Sequence, residues 1–134
     1  IQRVIMDIMR FLGIDFGAKR IGIAVSNPEG TIAFPREIVR GGAGAAERIL
    51  AIVKKEGVAT IVVGLPLGQG GNDTDQTMRV RAFARELRRV VSMPIEFENE
   101  LLTTRLARMG AQGDSPDASA AALILQSYLD KIRM

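Results

Sequence analysis

Three carboxylates stand out as candidates for chemistry. Asp15 interrupts an otherwise apolar run at 11–16, formed by Phe11, Leu12, Gly13, Ile14 and Phe16. A lone carboxylate in such a strand is costly to bury unless something pairs with it, and a bound cation is one such partner. Glu100 closes a second stretch, in which Ile95 and Phe97 alternate with Glu96 and Glu98. Asp117 follows Ser115 and Pro116, a strong helix start with Ser as the cap and Pro in the first turn. On a helical wheel Asp117 falls with Ala121, Ile124 and Tyr128, within about 40° of it, so it is expected to point along the apolar stripe. Each acid also has a plain structural reading: a turn cap at Asp15, a surface acid at Glu100, and at Asp117 a macrodipole partner worth ~0.3–1 kcal/mol. The last explains the position of Asp117 but not its inward direction.

Clustered carboxylates without a cation repel, and at least one would be protonated. With Mg²⁺ or Mn²⁺ between them they become ligands. The chain has no His and no Cys, which removes imidazole bases, thiolate nucleophiles and Cys-ligated zinc. Any resident metal must be a hard cation held by oxygens. Two such ions about 3.5–4 Å apart activate water and stabilise the leaving oxygen in phosphodiester cleavage.

These residues need a scaffold, and the chain supplies one of ordinary composition. Its 134 residues are 47% apolar and 25% charged, which fits one domain with a real core. No apolar run reaches the ~18 residues of a membrane span, and residues 1–8 lack the continuous apolar core of a secretory signal, so the expected location is the cytoplasm. The clean strand begins after Met9; residues 1–8 read as an N-terminal extension and 9–134 as the domain. Net charge is +3, and 14 of the 18 basic residues are Arg, a balance that permits nucleic acid as a partner.

In order, the pattern predicts a strand at 11–16, a tight turn supplied by Gly17 and Ala18, since Gly tolerates φ > 0, and a strand at 21–26. That second strand is bulky on one face (Ile21, Ile23, Val25) and small on the other (Gly22, Ala24, Ser26). A third strand at 31–39 contains Pro35, which suggests a sheet edge. A helix at 45–56 buries Ile49, Leu50 and Val53 and stops at Gly57. The β-branched run 60–66 reads as a buried parallel strand. The glycine-rich loop 67–73 lacks the Lys-Ser/Thr ending of a nucleotide P-loop and reads as a surface loop or a flap over a substrate backbone. A helix over 74–91 buries Val80, Phe83, Ala84, Leu87 and Val91, and gathers Arg81, Arg85, Arg88 and Arg89 on another face. That basic face is either solvated or a phosphate-contacting ridge. A strand at 95–100, a short helix from Thr103 to about 109 and a helix from Asp117 to about 132 complete the chain. The order implies an α/β fold: a mixed five-stranded sheet, three antiparallel strands then βα units, flanked by helices.

The segments 13–24, 63–67, 100–104 and 117–129 resemble the bacterial YqgF (RuvX) family, described both as Holliday-junction resolvases and as pre-16S rRNA nucleases. The resemblance runs from about residue 9 to 134. It implies a ribonuclease-H-like fold and catalytic, metal-holding acids at Asp15, Glu100 and Asp117. One departure concerns the family's Asp-Glu-Arg, which here reads Asn99-Glu100-Leu101; the Glu is kept, while its acidic and basic neighbours are not. The expected activity is metal-dependent hydrolysis of phosphodiester bonds in 5′-end maturation of pre-16S rRNA, with Mg²⁺ or Mn²⁺ as cofactor and Lys19 and Arg20 beside Asp15 as phosphate contacts. Four-way DNA junctions are the alternative substrate; cutting them requires two sites and hence a homodimer. A non-catalytic ribosome-assembly factor is the alternative outside enzymes. Actin-like sugar kinases also open with Gly-Ile-Asp-x-Gly, but enclose ATP with a second similar domain that this length cannot supply.

Overall fold

A computed structural model describes residues 9–101 and 118–133. The elements are β1 (Arg10–Asp15), β2 (Arg20–Ser26), β3 (Ala33–Arg40), α1 (Ala45–Glu56), β4 (Val58–Leu67), a 3₁₀ turn (Gln69–Gly71), α2 (Asp75–Arg88), β5 (Ile95–Leu101) and α3 (Ala118–Ile132). The expected extension at 1–8, the short helix at 103–109 and Asp117 itself lie outside the described residues.

The sheet order is β3-β2-β1-β4-β5. β1 pairs antiparallel with β2, as does β2 with β3, whereas β1–β4 and β4–β5 are parallel. The expected mixed sheet is thus present, with β1 at its centre. Pro35 lies on the edge strand β3, where a missing N–H costs no inner ladder bond. The register slips beside it, since Ile23 faces Glu37 and Ala24 faces Pro35, leaving Arg36 as the extra residue of a bulge.

Two cores follow from strand alternation. On one face Leu12, Ile14, Ile21, Ile23, Ile61, Val63 and Leu65 pack with α1 and α2, through residues such as Ile49, Val53, Val80 and Leu87. On the other, Phe11, Ala24 and Val62 meet Ala121, Ile124, Leu125 and Leu129 of α3. The second face is built from small residues, so α3 comes close. A Cβ on Gly13 would stand 2.7 Å from Leu125 Cβ, and one on Gly64 would stand 2.6 Å from Ile124 Cδ1.

Several expectations are corrected. The turn is not a tight one at Gly17 and Ala18, and Gly17 makes no use of the left-handed region open to glycine: the positive-φ glycines among the described residues are Gly30, Gly42, Gly44, Gly57, Gly70 and Gly71. The β1–β2 connection runs over four residues, 16–19, long enough to turn without it. In α1 the buried stripe is Ala45, Ile49, Ile52 and Val53, so Leu50 lies at its margin. Gly57 does end α1, at φ 67°. α2 is shorter than 74–91: Thr74 caps it, its side chain accepting from the Thr77 N–H, and Val91 lies beyond it, partly buried against the core. The Thr77 hydroxyl donates to the Pro66 carbonyl, which ties the start of α2 to the end of β4. Among the described residues no helix is long and apolar enough to cross a membrane.

The single tyrosine, Tyr128, packs on Phe11 with ring centroids 6.0 Å apart. Burial, then the charges of Glu96 and Glu98, push its phenol above the ordinary 10.0. The folded state therefore holds the proton more tightly than the unfolded chain. Its contribution to stability is complete below about pH 10 and is lost as pH rises through the folded value. Urea midpoints measured across that alkaline range should fall faster in the wild type than in Tyr128→Phe, with tyrosinate absorbance reporting the titration directly.

Candidate active site

β1 delivers Asp15 at its C-terminal end, on the face covered by α3, because Phe11, Gly13 and Asp15 alternate with Leu12 and Ile14. Asp15 is 1% exposed. β5 delivers Glu100 to the same face, because Ile95 and Phe97 belong to the opposite core. Glu100 lies opposite Pro66 of β4, and Asp15 follows the Ile14–Val63 pair. The two Cα atoms are therefore two strand spacings apart, about 10 Å, and offset by two residues, about 7 Å. Asp15 Oδ1 and Glu100 Oε2 are both withdrawn from solvent.

α3 runs opposite to β1. Tyr128 meets Phe11, and Ala121 and Leu125 meet Gly13, so the N-terminal end of the helix comes to the Asp15 end of the strand. Ala118, its first residue, directly follows Asp117 in sequence. The helix is fastened at both sides of the sheet. Gln126 accepts the Ala33 N–H at 2.9 Å and donates to the Thr31 carbonyl at 3.0 Å, beside β3. On β5, Glu98 accepts from the Ser127 hydroxyl at 2.8 Å and from Lys131 at 2.7 Å.

Glu98 is the acid that sequence reading passes over as one of a surface pair, and it is 5% exposed. Its partners lie 29 and 33 residues away, so nothing local signals its burial. Glu98→Ala should lower stability by about 1–2 kcal/mol, since Ser127 loses its acceptor while the exposed Lys131 rehydrates. Denaturant midpoints with Glu98→Gln alongside check this, the glutamine keeping the Ser127 bond.

The candidate basic residues divide. Lys19 and Arg20 are exposed at the Asp15 end, and Arg20 shares the α3 face with Asp15. Its cross-strand neighbour is Arg40, which sequence reading missed; like charges placed opposite one another are relieved by an anion. Arg81, Arg85 and Arg88 of α2, with Arg89 just past its end, do not form one ridge. Arg81 donates twice to Asp73, at 3.1 Å each, and lies over the Phe97 ring at 5.8 Å. Arg88 lies over the same ring at 5.7 Å. Arg85 and Arg89 instead line a hollow beside Phe16 and Ala18. At the end of the glycine-rich loop Asp73 pairs with Arg81 of α2 on the surface.

The donor set fits a hard divalent cation: carboxylate oxygens, Asp15 Oδ1 and Glu100 Oε2, withdrawn from water at the C-terminal ends of β1 and β5. Among the described residues no three acids gather as a metal site, and the third candidate, Asp117, lies outside them.

Comparison with known proteins bears on this arrangement. The family model described as "RuvX: Holliday junction resolvase" matches residues 9–131. A protein of Rickettsia canadensis named "Putative pre-16S rRNA nuclease" is 32% identical over 142 residues, covering 98% of this chain and 92% of its own. One of the same name from Maridesulfovibrio salexigens is 36% identical over 136 residues, covering 90% and 98%. Among solved structures, Thermus thermophilus RuvC in complex with a Holliday junction substrate superposes with a TM-score of 0.54 at 15% identity, over 93% of this chain and 96% of that one. At that identity the likeness speaks for the fold, a ribonuclease-H-like sheet flanked by helices.

Proposed function

Because the chain belongs to the RuvX family, we propose that it is a nuclease that hydrolyses phosphodiester bonds, with the 5′ end of pre-16S rRNA as its substrate. The observation that carries this reading is that Asp15 and Glu100 share the sheet face covered by the helix that follows Asp117, with Asp15 towards the amino end of that helix. The names of the curated relatives support the substrate.

Asp15, Glu100 and Asp117 would hold one or two Mg²⁺ or Mn²⁺ ions, which supply Lewis-acid stabilisation of the phosphate and a more acidic water when bound. The chain's own groups set the geometry. Asp15, fixed on the central strand, anchors the site and keeps bulk water from its base. Glu100, partly buried on β5, can take the proton of an attacking water. Arg20, Arg40 and Lys19 neutralise phosphates on the strand beside the scissile bond. The amino end of α3 adds partial positive charge at the same place. Such contacts read backbone and shape rather than bases, which suits structured RNA.

Four-way DNA is the second reading, favoured by the family's description. A precursor rRNA 5′ fragment and a four-way DNA junction, each incubated with Mg²⁺, Mn²⁺ or chelator, separate the two. Metal-dependent cutting of the RNA is expected. Cutting of the junction alone would transfer the assignment, and binding without cutting would leave an assembly factor.

A further inference from the structure

Phe16 follows Asp15 in sequence but points to the opposite face of the sheet. There it stacks on Phe83 of α2, with ring centroids 4.5 Å apart and planes 27° from parallel. The pair floors a groove of about 410 Å³ whose walls are Ala18, Ala82, Arg79, Arg85, Arg89 and Glu86. Glu86 and Arg89 approach to 3.8 Å, both well exposed, so their pairing is weak and readily exchanged. Three guanidiniums against one carboxylate leave the walls cationic. The volume falls within the range of small-ligand sites, roughly 300–1,000 Å³.

We propose that this groove seats one unpaired nucleotide of the substrate strand, its base over the Phe16–Phe83 floor and its phosphate against Arg85 and Arg89. This deepens the nuclease reading and rests on it. A planar π-face joined to an anion is the chemistry that uses both halves of the groove. An acidic peptide leaves the aromatic floor unused, and a neutral apolar ligand leaves the arginines unused. Position argues the same way. Asp15 and Phe16 are consecutive residues on opposite faces, so a strand cut at Asp15 passes over the β1–β2 connection directly into the groove. The site therefore favours substrates with an unpaired residue beside the cut.

The test uses the full chain in chelator, so that binding is read without cleavage. The probes are a single-stranded RNA carrying 2-aminopurine, the same sequence as DNA, and the RNA as a perfect duplex. Single strands bound by the wild type should show stacking-induced quenching, and the duplex should not. Phe16→Leu should lose the quenching. Ala82→Glu, at an exposed helical position that tolerates it, should lose it too and guards against a folding effect at Phe16. Arg85→Ala combined with Arg89→Ala should weaken binding about tenfold or more. Lys55→Ala, on the exposed last turn of α1, serves as the charge control. Quenching equal in wild type, Phe16→Leu and Ala82→Glu overturns the proposal, as does an arginine pair that behaves like the control. A protein that quenches but cuts neither substrate under any metal overturns the nuclease reading alone. One that cuts without quenching overturns the groove alone.

Discussion

Asp15→Asn is expected to leave a folded protein that cuts its substrate about a thousandfold more slowly, a loss of roughly 4 kcal/mol of transition-state stabilisation. Asparagine keeps the size and one oxygen of the side chain, so the packing around a residue that is 1% exposed survives. What disappears is the negative charge at the end of the central strand. A merely structural Asp15 would give a different pattern, in which activity falls only as far as the folded fraction does. A second readout separates the cases without turnover. A ligand that binds only the folded state raises stability by about 2.7 kcal/mol at a hundred times its Kd. Mg²⁺ should therefore raise the melting temperature of the wild type and leave that of Asp15→Asn nearly unchanged.

Gly13→Ala should be the most damaging single-methyl addition in the sheet. Its Cβ would stand 2.7 Å from Leu125 Cβ and 2.9 Å from the Ala121 carbonyl oxygen. Neither atom can swing aside, because one roots a side chain and the other belongs to the α3 backbone. The helix itself must lift. Overpacking of this kind costs about 1–3 kcal/mol, only partly offset by the stiffer unfolded chain, about 0.4–1 kcal/mol. Gly64→Ala meets Ile124 Cδ1 at 2.6 Å, the far end of a flexible side chain, and should cost less than about 1 kcal/mol. The pair thus isolates the position of α3 from the mere addition of volume. Lifting α3 also moves its amino end away from Asp15. Gly13→Ala should therefore lose activity beyond its loss of folded protein, measured well below its melting temperature, while Gly64→Ala should not.

Much of this was legible in the sequence wherever local rules decide the outcome. Gly57 ends α1, Thr74 starts α2, Pro35 marks the edge, and β2 has one bulky and one small face. Asp15 and Glu100 share a face because period-two alternation fixes which way each strand residue points. What escaped depends on partners distant in the chain. Glu98 reads as one more surface acid until Ser127 and Lys131 fold onto it. Arg81, Arg85, Arg88 and Arg89 share one side of a helical wheel, but the wheel cannot say that Arg81 and Arg88 lie over Phe97 while Arg85 and Arg89 line the hollow beside Phe16. Arg40 gains its meaning only from its register opposite Arg20. Leu50 lost its place to Ile52 because α1 meets the sheet rotated from the simplest apolar stripe.

Manganese binding tests the shared-cation site most directly. Free Mn²⁺ has a strong electron paramagnetic resonance signal that is lost on binding. Adding wild-type protein should diminish it, and excess Mg²⁺ should restore it. Asp15→Asn, Glu100→Gln and Asp117→Asn, each shown to be folded, should each weaken binding at least about tenfold. A wild type that leaves the signal unchanged, or three variants that bind Mn²⁺ as the wild type does, would contradict the claim that these acids hold one cation site.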